Sequence, residues 1–146
     1  IIDMPPGTGD AQLTLSQRVK LAGAIIVSTP QDLSLIDARK GLNMFKKVNV
    51  PILGIIENMS YFVCSNCEKK HPIFGNGGAK IEADKLGVPF LDEIPLDIKL
   101  RTTSDEGKPI VEDEPDHIIS QKYMNIGSRI IEMIIKNKKV SPVITQ

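Results

Sequence analysis

Three short apolar runs govern what this chain can fold into: the β-branched-rich GAIIVST (Gly23–Thr29) and ILGIIEN (Ile52–Asn58), and PFLDEIP (Pro89–Pro95). Each is followed by a turn and then by helical periodicity. The first two are nearly continuous in apolar residues, the pattern of parallel strands covered on both faces. A further pair, Ile1-Ile2, has the same character and runs straight into Asp3. Alternating strand and helix predicts an α/β fold: a mainly parallel sheet with flanking helices.

The intervening segments supply the helices. Asp10 is placed to cap one through about Lys20, with Leu13, Leu15 and Val19 turned inward. Asp32 is placed to cap a second, whose buried stripe is Leu35, Ile36, Leu42, Met44 and Phe45. GGAKIEADKLG reads as a third, closed by Gly87. Asp105–Asp116 is a polar connection. Ile118–Lys136 then forms a last amphipathic helix on Ile119, Tyr123, Ile126, Ile130 and Ile134. Residues 1–136 make one domain and 137–146 a loose tail.

Charge and cysteine usage narrow the function classes. Lys+Arg and Asp+Glu balance at 18 each, so no global field argues for nucleic acid or an acidic membrane surface. No apolar run is long enough to span a bilayer. The two cysteines stand three residues apart, which does not staple distant segments as in secreted domains. A reducing cytoplasm is the expected compartment.

In parallel sheets of this kind, ligands sit beyond the carboxyl ends of the strands. There the sequence reads DMPPGTGD after Ile2. An aspartate closing an apolar strand suits the water shell of a magnesium ion. A glycine soon after lets a backbone N–H approach a terminal phosphate. Asp3 and Gly7 fit those two tasks; the ordinary alternative is a tight strand-to-helix turn with a solvated Asp3. Asn58 carries a donor and an acceptor that could pair with a base edge, or it simply ends a strand in a turn. In IPLD, Pro95 and Asp97 could line the same crevice, or serve as a helix entry with Asp97 as cap. His117 reads as a helix-face residue.

YFVCSNCEKKHPIFGNGG carries the second constellation. Cys64 and Cys67 in a C-x-x-C can grip one metal or one edge of a cluster. A dithiol redox pair would be expected to open a helix, whereas Glu68–Pro72 reads as loop. Zinc could take His71 as a third ligand, but no fourth is evident nearby. An iron–sulfur cluster needs about four thiolates, which a symmetric dimer would supply as two pairs. A structural thiol pair without ligand is the remaining reading.

Taken together, DMPPGTGDAQLTLSQ, STPQDLSLIDARKGLNMF, ENMSYFVCSNC, FGNGGA and GVPFLDEIPLD resemble, in order and spacing, the Mrp/ApbC-type iron–sulfur cluster carriers. These are a branch of the MinD-like deviant P-loop ATPases, and the resemblance covers Ile1 to about Ile135. It implies that Asp3 is the Walker B acid, that Gly7 contacts the γ-phosphate and that Asp10 belongs to the same catalytic switch segment. It makes Asn58 the adenine-reading residue, with Pro95 and Asp97 near the base. Cys64 and Cys67 then match thiolates that hold a [4Fe–4S] cluster shared by a homodimer. The implied activity is cluster transfer to apo-proteins, linked to binding and hydrolysis of Mg-ATP. Family members also carry a glycine-rich G-K-[ST] loop that cradles the phosphates, and no such segment occurs in these 146 residues. The resemblance therefore implies a P-loop NTPase fold incomplete at its N-terminus, and no ATPase activity from these residues alone. The alternative is a non-catalytic zinc-binding or interaction module built on the same C-x-x-C.

Overall fold

The computed structural model describes residues 1–4 and 9–139. Its centre is a three-stranded parallel sheet of order β1-β2-β5, with β1 at Ala24–Ser28, β2 at Ile52–Glu57 and β5 at Phe90–Glu93. All three strands predicted from the long apolar runs are present, each trimmed by one to three residues. Register runs from Ala24 opposite Ile52 to Ser28 opposite Glu57, so β1 and β2 end side by side. Glu57 in turn faces Glu93 of β5.

Helices α1 (Asp10–Arg18), α2 (Asp32–Lys47) and α3 (Gly78–Leu86) alternate with the strands as expected. The caps differ by one residue. Gly9 and Gln31 are the N-caps, and neither makes a side-chain capping bond. Asp10 and Asp32 are instead the first helical residues, where a carboxylate complements the positive end of the helix dipole. Gly87 closes α3 at φ 64°, a left-handed conformation that only glycine adopts cheaply.

One face of the sheet packs on α2 and α3. Ala24, Ile26 and Ile55 meet Leu35, Ala38, Leu42, Phe45, Ala79 and Ala83 in one core cluster. Burying each large side chain there contributes roughly 1.5–3 kcal/mol. Ile36, expected within the α2 stripe, is exposed. It sits one position beyond Leu35, about 100° round the helix, and falls outside the buried face at this turn, whereas the adjacent Met44 and Phe45 are both buried further along. On α1 the most buried positions are Gln12 and Ser16, Leu13 packs half-buried against the core cluster as expected, Leu15 is half-buried, and Val19 lies exposed at the C-cap.

The second face is covered unevenly. Helix α6 (Ile118–Lys139) packs against β5, with Ile119 and Ile126 buried. Tyr123, assigned to the same apolar stripe, is partly exposed. On β1, Ile25 and Val27 point outward, at 37% and 60% exposure. Among the described residues this strand is therefore fully covered on one face only, against the expectation of cover on both.

Three further departures concern the ends and connections. Ile1 and Ile2 form no strand, and both are exposed. A two-residue segment needs a neighbouring strand to supply its ladder bonds, and none of the described strands pairs with it. The polar connection after Asp105 contains a single helical turn, α5 (Ile110–Asp113), which buries Ile110. It follows α4 (Ile98–Asp105). Residues 137–139, assigned to the tail, continue α6, while 140–146 and Gly7 lie outside the described residues.

Candidate functional site

The loops at the carboxyl ends of β1, β2 and β5 are stitched together by backbone bonds. The Asn58 N–H donates to the Ser28 carbonyl at 2.7 Å, and the Ile94 N–H to the Glu57 carbonyl at 2.8 Å. Asn58 Oδ1 accepts the Met59 N–H at 2.9 Å, and Met59 takes a left-handed φ of 55°. The asparagine thus turns the chain out of the sheet. Asp97 caps α4, its Oδ1 accepting the Leu100 N–H at 3.0 Å. Pro95 is buried beside it. Asp3 and Asp10 are both exposed, and Met4 packs against the core cluster next to Asp3.

From this rim rises a small hairpin. Strands β3 (Phe62–Val63) and β4 (Lys70–His71) pair antiparallel, Phe62 opposite His71 and Val63 opposite Lys70. Its base is tied to the β5–α4 loop by the Leu96 N–H, which donates to the Tyr61 carbonyl at 2.7 Å. The C-x-x-C forms its tip. The Cys64 N–H donates to Lys69 O at 3.0 Å, and the Glu68 N–H returns to Cys64 O at 2.8 Å. Lys70 lies over the Tyr61 ring, its Nζ 4.2 Å from the centroid. Glu68–Pro72 is thus not all loop, since Lys70 and His71 are strand. The motif lies between two strands and opens no helix, which removes the helix-terminus device that activates thioredoxin-like dithiols.

The thiols are free, Cys64 half-buried and Cys67 exposed. The backbone N–H groups of Asn66 and Cys67, and then the Cys67 thiol, hydrogen-bond to Cys64 and lower its pKa. Cys64, Cys67 and His71 place one ligand atom each within 4.8 Å of the others. This donor set, two soft thiolates and an imidazole, suits a thiophilic metal.

A buried carboxylate beneath the hairpin escapes a reading by residue pattern. Glu57 is 0% exposed at the end of β2. Its Oε1 accepts from Ser60 Oγ at 2.6 Å and its Oε2 from the Ala79 N–H at 2.7 Å. Ser60 Oγ also lies 3.2 Å from Glu93 Oε2. The carboxylate thereby joins the last residue of β2, the start of the hairpin segment and the first turn of α3. That turn comes very close to the β1 loop: a Cβ on Gly78 would stand 2.7 Å from the Pro30 carbonyl oxygen. The available signals were a lone glutamate inside ILGIIEN and the glycines before α3.

Between hairpin and rim lies an open cleft of about 840 Å³, walled by Phe62, Val63, Pro95, Leu96 and Ile98, with Lys70 at its edge. It borders the C-x-x-C on one side and the loop of Pro95 and Asp97 on the other. No helix among the described residues is long and apolar enough to cross a membrane.

Solved structures place this arrangement. The chain is similar to a nucleotide-binding protein in complex with ADP from Archaeoglobus fulgidus, at a TM-score of 0.67 and 46% identity over 77% of this chain and 46% of that one. The cell-division ATPase MinD of Pyrococcus furiosus matches with a TM-score of 0.58 at 24% identity over 77% of this chain and 43% of that one, a likeness of fold alone. The class is a MinD-like P-loop NTPase fold bearing a cysteine hairpin beyond its strand ends. Residues 1–131 match the ParA family model described as NUBPL iron-transfer P-loop NTPase, and the chain belongs to that family.

Its relatives bear this out. The iron-sulfur cluster transfer protein NUBPL of Dictyostelium discoideum is 54% identical over 134 residues, covering 92% of this chain and 42% of the relative. The iron-sulfur cluster carrier protein of Escherichia coli K12 is 47% identical over 142 residues, covering 97% of this chain and 38% of the relative. The chain thus spans about two fifths of the length of these relatives. The resemblance read from the sequence segments holds, and the names of the relatives do not favour a zinc module.

Proposed function

We propose that this chain is the cluster-holding part of an iron–sulfur carrier. Its cargo is a [4Fe–4S] cluster held by Cys64 and Cys67 of one copy and the same pair of a second, and passed to apo-proteins. The observation that carries this reading is the pair of free thiols at an exposed hairpin tip, with hydrogen bonds that favour the Cys64 thiolate. Two thiolates per chain satisfy half of a four-thiolate cluster, so a homodimer completes the ligation. An exposed tip lets a recipient's thiols reach the iron, and a reducing compartment such as the cytoplasm keeps the thiols available.

Nucleotide supplies the energetic link in this reading. Asp3, Asp10 and Gly7 form the segment suited to the magnesium shell and γ-phosphate of Mg-ATP, while Asn58, Pro95 and Asp97 border the base. Support comes from the strand-end position of Asn58 and of the Pro95–Asp97 loop, and from the ADP-bound relative of the same fold. Bound magnesium would neutralise developing phosphate charge during hydrolysis. These residues would orient the nucleotide; the phosphate cradle itself requires a glycine-rich loop absent from these 146 residues.

Anaerobic reconstitution with iron and sulfide tests the proposal. The expected product is brown and desalts with about two irons per chain, as four irons shared by two copies require. Cys64→Ser and Cys67→Ser should each lose the iron while keeping the fold, because both lie on an exposed tip. Iron retained at full stoichiometry by the double variant would refute the assignment.

A further inference from the structure

The geometry points to a mononuclear metal site within a single chain, formed by Cys64 Sγ, Cys67 Sγ and a ring nitrogen of His71, for a thiophilic divalent cation such as iron(II). It shares the two thiolates of the cluster reading but adds a third ligand from the same chain and needs no second chain.

The hairpin register makes the third ligand. Phe62 faces His71 across the ladder, and Cys64 bonds Lys69 two positions further on. Alternation along the strands therefore puts Cys64 and His71 on one face as diagonal neighbours, near enough for long side chains to meet. Cys67 turns back to the same place through the tip. The three ligand atoms lie within 4.8 Å of one another. Around a tetrahedral ion with bonds of about 2.3 Å to sulfur and 2.0–2.1 Å to nitrogen, ligand atoms stand about 3.5–3.8 Å apart. Closing on an ion thus requires the ligand atoms to approach one another by about 1–1.3 Å at most, at an exposed tip where little packing resists them.

The chemistry of the set is consistent. Two thiolates neutralise a divalent ion, and their protons leave to solvent as the bonds to sulfur form. Soft sulfur with one imidazole selects iron(II), cobalt(II) or zinc(II) over magnesium or calcium. Three protein ligands leave one position open, as in catalytic rather than structural metal sites. Sulfide, or a thiolate of another protein, can enter there without first displacing a protein ligand.

Cobalt(II) titration of the reduced apo-protein under anaerobic conditions tests this, with sedimentation confirming the monomer. One cobalt per chain is expected, with sulfur-to-cobalt charge transfer and the intense visible bands of a tetrahedral ion. His71→Ala should weaken cobalt binding by about tenfold or more, and His71→Cys should restore tight binding with stronger charge-transfer bands. Cluster reconstitution in His71→Ala should proceed as in the wild type. Equal cobalt affinity in wild type and His71→Ala, or cobalt bound only between two chains, would overturn the inference and leave the cluster reading standing. Cobalt bound as expected by a protein that never assembles a cluster would do the reverse.

Discussion

Glu57 and Ala79 are joined across 22 residues of chain by a 2.7 Å hydrogen bond from the Ala79 N–H to the buried Glu57 Oε2. The bond fixes the N-terminus of α3 to the carboxyl end of β2, directly below the cysteine hairpin. A carboxylate here satisfies an orphan helix N–H and meets the positive end of the helix dipole. Its second oxygen accepts from Ser60, which begins the hairpin segment.

Glu57→Ala should therefore destabilise the fold by about 3 kcal/mol, since it leaves a cavity and a buried N–H without a partner. Glu57→Gln keeps an acceptor for Ala79 and should lose only about 1 kcal/mol. Urea unfolding followed by circular dichroism measures both. An alanine variant within 0.5 kcal/mol of wild type, on the order of a neutral surface change, would remove Glu57 from this role.

Asp97 caps α4 through the Leu100 N–H. Asp97→Ala should cost about 1 kcal/mol of stability, and Asp97→Asn much less, because asparagine caps nearly as well. Thermal melts of the two variants side by side decide it; equal losses would mean that the charge, not the cap, matters.

Much of the fold is legible in the sequence because it is local. Ala24–Ser28 and Ile52–Glu57 announce themselves by β-branched runs, Phe90–Glu93 by a short apolar run between prolines, and Gly87 by its place after α3. What escapes depends on distant partners. Nothing near Glu57 in sequence says that Ala79 will bury it. Ile25 and Val27 read as core residues, yet their exposure depends on what lies over the sheet. The C-x-x-C is visible as a motif, whereas the β3–β4 pairing that brings His71 to the thiols is a matter of register. Ile36 misled because the edge of a helix's buried face is set by what packs on it: Ile36 beside Leu35 is exposed, while the adjacent Met44 and Phe45 are both buried.

The hydrogen bonds at the hairpin tip bear on pH. Backbone N–H groups of Asn66 and Cys67, and the Cys67 thiol, hold the Cys64 pKa below that of an ordinary cysteine. A depressed value means that the thiolate persists to lower pH in the folded chain than in the unfolded one. Any linked stability is present above the unfolded value and lost as pH falls through the folded one. Alkylation of Cys64, mapped by mass spectrometry, should thus begin at lower pH in the folded apo-protein than in urea. Cys67→Ala, which removes the thiol donor, should move the profile part of the way back. Coincident profiles in folded and unfolded protein would contradict the tip geometry.

The nucleotide half of the account makes a separate prediction. The 146 residues offer Asp3, Asn58, Pro95 and Asp97 but no G-K-[ST] loop, so a triphosphate gains few charge-assisted bonds to offset its lost hydration. Calorimetry on a polypeptide of these residues should detect no micromolar binding of Mg-ATP. Micromolar binding would place the phosphate site on other residues of this chain.

The central claim is that two copies share one cluster through Cys64 and Cys67, and native mass spectrometry of the anaerobically reconstituted protein reads this directly. The expected mass is that of two chains plus four irons and four sulfides, falling to apo monomers in Cys64→Ser and Cys67→Ser. A monomer carrying a complete [4Fe–4S] cluster, or a dimer whose cluster survives loss of both cysteines, would contradict it.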